Sequence, residues 1–162
     1  MERFLVAMDA SAASASCIRY IGRLLGILGD VRLTLFHVLP TASPNLLKRD
    51  EIQRIELLHR EQPDLSGYFW TMEDEERMNG AFHSAVRTLC DAGLDEAHIS
   101  VRFTVQSAEV AQLILTEARN RKCSTIVLGR RKHRLMKELL LGSVSNSVLK
   151  LARDLAVWIV PE

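Results

Sequence analysis

An excess of charge of either sign is the first thing this 162-residue chain lacks: 21 Lys and Arg face 20 Asp and Glu, for a net charge of +1. A protein that holds nucleic acid through its overall field carries a clear basic surplus, so no nucleic-acid partner is expected. Long apolar runs are missing too. None approaches the roughly 18 residues that read as a membrane span, and Glu2 and Arg3 bring charge too early for a secretory leader. We therefore expect no membrane partner and a cytoplasmic location. Cysteine is scarce. Cys17, Cys90 and Cys123 are odd in number and far apart, with no Cys-x-x-Cys pair and no His at ligand spacing, so they read as reduced, mostly buried thiols.

Catalytic signatures are absent as well. The chain has no G-x-x-x-x-G-K-[ST] loop and no G-x-S-x-G elbow, and its turn after the first apolar run, Asp9-Ala-Ser11, contains no glycine of the SGGxDS kind. His37, His59, His83, His98 and His133 are scattered and read as structural or exposed. A protein without catalytic residues is the expectation.

Hydrophobic residues make up 48% of the chain, enough for one compact domain over residues 1–162. Along it, strand and helix patterns alternate. Arg3 to Met8 is a continuous apolar run, as a strand covered on both faces should be. Ser11 is a natural N-cap for a helix to about Leu28, with Ile18, Ile21, Leu24, Leu25 and Leu28 at helical spacing and Gly29-Asp30 as its stop. Val31 to Val38 is a second strand, closed by Pro40. Residues 41–70 form a less regular insert with Pro44 and Pro63 as breakers, and between them Ile52, Ile55 and Leu58 suggest a short amphipathic helix. Thr71 and Asp74 form a weak capping box for a helix to Ala92, closed by Gly93.

Ile99 to Val105 is the third strand, and Ser107 caps the next helix, with Glu109 in its first turn. Thr125 to Leu128, Ser143 to Ala152 and Ala156 to Val160 supply a strand, a helix and a last strand. Such alternation predicts an α/β fold: a doubly wound, five-stranded parallel sheet with helices on both faces. Ligands then bind beyond the carboxyl ends of the strands, where the strand order reverses.

One stretch carries chemistry. After Thr125 to Leu128 comes Gly129, then a basic loop with Arg130, Arg131, Lys132, His133, Arg134 and Lys137, then Gly142-Ser143 at a helix start. Glycines let a backbone approach a ligand closely, and the first N–H groups of a helix point at an anion. Ser143 reads as the cap of that helix. The residue types and their order suit a phosphate. Asp9 alone reads as a helix-start residue; beside the glycine loop it becomes a reader of a ribose or base.

Gly129, two residues, Lys132, nine residues and Gly142-Ser143 follow the spacing G-x2-G-x9-G-[ST], with lysine in place of the second glycine. With VAMDAS at 6–11, Phe36-His37-Val38, and the closing GSVSNSVLKLA and VWIVP, the whole chain resembles the universal stress protein family. The resemblance implies strand order 3-2-1-4-5 and an adenine-nucleotide site. Asp9 would lie by the adenosine and Val38 would meet the adenine through its backbone. Gly129, Gly142, Ser143 and Ser145, with Val144 between the two serines, would hold phosphates and ribose. The phosphates would lie over the turn Arg130, Arg131, Lys132. The implied ligand is ATP, with or without Mg²⁺.

The resemblance also implies a homodimer through the last strand, at Val157, Trp158, Ile159 and Val160. Two effects compete at Lys132. A β-carbon at positive φ costs on the order of 1 kcal/mol, whereas an ammonium on a triphosphate contributes roughly 1.5–3 kcal/mol. Three readings follow: a nucleotide-binding stress regulator that signals through a dimer to a protein partner, a dimeric interaction module of the same fold without nucleotide, and an ATP-cleaving enzyme. The missing catalytic groups speak against the last.

Overall fold

The computed structural model describes residues 1–28, 30–39, 72–130 and 142–162. The 41–70 insert, the Thr71 cap, Arg131 and Lys132 lie outside the described residues. Within them the chain runs β1 (Glu2–Ala7), α1 (Ala12–Leu25), β2 (Val31–Leu39), α2 (Met72–Asp91), a 3₁₀ turn (Glu96–His98), β3 (Ile99–Val105), α3 (Val110–Asn120), β4 (Thr125–Arg130), α4 (Ser143–Leu151) and β5 (Ala156–Pro161). The sheet order is 3-2-1-4-5 and every pairing is parallel, as the alternation and the family resemblance led us to expect.

β1 is the central strand, and its side chains alternate between two cores. Phe4, Val6 and Met8 pack with α1 and α2 on one face, while Leu5 packs with α3 and α4 on the other. Leu5 and Val6 are both fully buried. That is why the run is continuously apolar rather than alternating.

Element ends depart from the sequence expectation in instructive ways. α1 stops at Leu25, not Leu28, with Gly26 as its C-cap. A β-carbon on Gly26 would stand 1.9 Å from the Ala92 carbonyl oxygen, so the end of α1 presses on the backbone that follows α2. Ile27 and Leu28 continue the apolar spacing but are exposed. α2 does close at Gly93, whose φ of +103° supports two bonds, Leu94 N–H to Leu89 O and Gly93 N–H to Cys90 O.

α3 begins at Val110 with Glu109 as N-cap and no side-chain cap bond, so Ser107 does not cap it. The chain at Gln106 is still tied to β2, its N–H donating to Leu39 O at 2.9 Å, which leaves Ser107 too far ahead of the helix. β2 runs to Leu39, one residue past Val38, because it stays paired with Val105 of β3. β4 runs on through Gly129 and Arg130, which pair with Val160 and Pro161; both belong to the strand rather than the loop. α4 has Gly142 as N-cap, with Ser143 its first helical residue rather than its cap.

Among the described residues β5 pairs with β4 and no other strand. Its side chains are only partly taken up within the chain, with Val157, Trp158 and Ile159 half-buried. Val160 is buried and the Trp158 ring meets Phe4 at 5.3 Å between centroids. Ala156 and Glu162 donate their N–H groups to Ser124 and Arg130 of β4 or its flank. In a strand the intervening residues point the other way, so the N–H groups of Val157 and Ile159 face outward from the sheet edge. Among the described residues no helix is long and apolar enough to cross a membrane.

Candidate functional site

The strand order reverses between β1 and β4. The chain leaves β1 for α1 on one face and leaves β4 for α4 on the other, and a crevice opens between them at the carboxyl ends. Its volume is about 520 Å³, within the roughly 300–1,000 Å³ range of small-molecule sites. Asp9, Val38, Gly129 and Arg130 line it, as do Gly142, Ser143, Val144 and Ser145. The described residues singled out in the sequence thus meet at one place. Arg131 and Lys132 lie outside them.

Two helices begin on this crevice, and they begin differently. At α1, Ser11 Oγ accepts from Ser14 N–H at 3.3 Å. Asp9 Oδ1 accepts from Ser11 N–H at 3.0 Å and from the Ser14 hydroxyl at 2.8 Å, and Asp9 N–H donates to Ser14 Oγ at 2.9 Å. Asp9 is therefore part of the helix start as well as a wall of the crevice. The Ser14 hydroxyl was not singled out in the sequence; its spacing of three from Ser11 on a helix start was the available signal.

At α4 no side chain among the described residues caps the first turn, and Gly142 sits at φ −58° and ψ 158°. A β-carbon there would meet no described atom within 4 Å. The first-turn N–H groups of α4 have no intrahelical partner by geometry, so they and the Ser143 hydroxyl form a donor set for an anion.

Gly129 has a packing role besides the expected one. A β-carbon on it would lie 2.8 Å from the Ala13 carbonyl oxygen, so this glycine lets the first turn of α1 pack against β4. It shapes the crevice wall from behind. Arg130, next along β4, is half-buried and lines the crevice.

The end of β2 supplies the remaining wall. Met8 N–H donates to Phe36 O at 2.9 Å, after which β1 has turned away into Asp9. The N–H and C=O of Val38 point to the same side as those of Phe36. They therefore emerge past the end of β1, where no described backbone group pairs with them. His37, on the α1–α2 face, is a site residue that the sequence did not reveal, because a lone histidine in a strand resembles a core residue. Its Nδ1 lies 2.7 Å from Met8 O, and its ring meets Phe82 edge-on at 6.5 Å. Burial pushes its pKa below the usual histidine value, partly countered by the Met8 carbonyl and the Asp9 charge.

These features define an α/β protein with a doubly wound parallel sheet and a ligand crevice at its switch point, walled by two helix starts. The chain belongs to the universal stress protein family, which matches residues 1–161. Solved structures carry the same fold. A universal stress protein family member from Burkholderia pseudomallei is 18% identical over 99% of this chain and 96% of that one, with a TM-score of 0.64. The universal stress protein from Archaeoglobus fulgidus in complex with dAMP is 17% identical, covering 99% and 98%, at 0.59. A family member from Arabidopsis thaliana with AMP bound is 13% identical, covering 100% and 92%, at 0.62. No curated protein matches the chain.

Proposed function

We propose that the crevice binds an adenine nucleotide and that the protein is a stress-response regulator in the cytoplasm rather than a catalyst. The observation that carries this reading is the start of α4, uncapped by any described side chain and open at Gly142, facing the crevice that Asp9 and Val38 also line. A phosphate there gains the first-turn N–H groups of α4, and the base lies toward the unpaired edge of Val38. The relatives solved with dAMP and with AMP support the ligand class. ATP fits the same reading, its outer phosphates extending toward Arg130.

Mg²⁺ would come with the nucleotide. Asp9 is the one carboxylate among the described lining residues, and its Oδ1 already accepts two hydrogen bonds, which is a poor match to an octahedral oxygen cage. Among the described lining residues the Ser14 hydroxyl donates to the Asp9 carboxylate, which also accepts the Ser11 N–H, and this helix-capping role supports the non-catalytic reading. In this reading the signal leaves through a homodimer, built by antiparallel pairing of two β5 edges through the outward N–H groups of Val157 and Ile159.

Calorimetric titration with AMP and with ATP, in the presence and absence of Mg²⁺, tests the ligand. Binding by the unmodified protein and its loss in Gly142→Val, with thermal unfolding unchanged, is the expected result. No heat and no thermal shift with any adenine nucleotide at millimolar concentration would overturn it. Sedimentation tests the dimer: Val157→Pro removes an outward N–H without touching the β4 ladder and should yield monomers.

A further inference from the structure

In a parallel ladder, the bond after Met8 N–H to Phe36 O would run from Val38 N–H back to Met8 O. The chain does not make it. Met8 O is instead occupied by the His37 ring, with Nδ1 at 2.7 Å, and the Val38 N–H has no partner among the described residues. A carbonyl only accepts, so Nδ1 carries the proton in this contact. Burial disfavours the charged ring, and the edge-on Phe82 helps hold its orientation.

We propose that His37 is a positioning residue that ends the β1–β2 ladder: by taking the Met8 carbonyl with its own N–H, it keeps the Val38 N–H and C=O available to a ligand with a paired acceptor and donor, as the edge of an aminopurine has. The mechanism is a competition for one acceptor. Without the imidazole, Met8 O would be left buried with an unused lone pair, and the donor that the ladder geometry offers it is the Val38 N–H. The sheet would lengthen by one rung and the base-reading edge would close. The same contact holds Met8 and hence Asp9 in place, so one side chain sets the relation between the β2 edge and the α1 start.

The ligand side of this inference rests on the crevice being a nucleotide site; the ladder side does not, and the two are measured separately on the full chain. In amide hydrogen exchange without ligand, Val38 should exchange as an unbonded amide in the unmodified protein. It should become protected about tenfold or more in His37→Leu and stay unprotected in His37→Asn, whose side-chain amide can donate from the Nδ1 position. In titration with AMP, His37→Leu should lose about tenfold in affinity and His37→Asn should bind within about threefold of the unmodified protein. His37→Gln, which places its amide nearer the Nε2 position, replaces the leucine variant should that one fail to fold.

A Val38 amide already protected in the unmodified protein, or one that exchanges equally fast in His37→Leu, overturns the inference. So does an AMP affinity that the leucine and glutamine variants leave unchanged. An unmodified protein that binds no adenine nucleotide but shows the expected exchange pattern sinks the proposed function and leaves the ladder role of His37 standing.

Discussion

α1 and α4 both start at the carboxyl ends of central strands and both aim their first turns at one crevice, yet they treat those turns in opposite ways. α1 closes its own end. Ser11, Ser14 and the Asp9 carboxylate bond one another and the backbone, a network internal to the chain. α4 leaves its end to whatever arrives, with a glycine N-cap and no capping side chain among the described residues. A self-satisfied helix start contributes stability and repels a second anion, whereas an unsatisfied one gives up stability and attracts it. The negative charge at Asp9 and the positive end of α4 thus assign the two sides of the crevice to different parts of a ligand.

The sharpest way to break this contrast is to make α4 resemble α1. Gly142→Asp places a carboxylate where the phosphate is proposed to lie and gives the helix an acceptor of its own. Nucleotide affinity should fall on the order of 100-fold or more, while the melting temperature rises by roughly 1–3 °C. Calorimetry and thermal unfolding read the two effects, and retained binding would end the contrast. The converse is to unmake α1. Asp9→Ala deprives two donors of their acceptor and should cost about 1–3 kcal/mol, visible in denaturant unfolding without any nucleotide. Unaltered stability there would mean the network is incidental.

Ser143→Ala separates the two starts more gently. Since this hydroxyl caps nothing, stability should move by less than about 0.5 kcal/mol, while nucleotide affinity falls roughly three- to tenfold. The smallest effect is one of pH and belongs to the α1 side. The folded-state pKa of His37 is lowered, so below its ordinary value of 6.5 the unfolded chain binds the proton first. Stability should therefore decline as pH falls below about 6.5 and not as it rises. His37→Asn should flatten that slope, and an identical slope in both proteins would assign it elsewhere.

Much of this was legible in the sequence. Alternating strand and helix patterns, and the family resemblance they supported, anticipated the sheet and its order. The crevice residues followed because strand ends carry the polar residues that a covered strand interior excludes. What escaped was set by backbone geometry. Ser143 looks like a cap because serine is a common cap, but φ and ψ put Gly142 in that role. Gly129 looks like a phosphate glycine, and the sequence does not reveal the Ala13 carbonyl behind the strand, which also requires it. His37 escaped because its partner, Met8 O, is a backbone atom of another strand, which side-chain spacing does not reveal.

The central place of β1 has a consequence for the chain as it is made. Phe4 pairs with Thr125, so one edge of the middle strand waits for a segment that leaves the ribosome much later. At synthesis rates of about 5–20 residues per second, that interval is on the order of ten seconds. During it β1 and β2 can join, but Leu5 and Val6, fully buried at the end, have no complete cover. The nascent chain presents a sticky half-sheet for that time, and a holding chaperone bound to ribosomes stalled before residue 125 would be the sign of it.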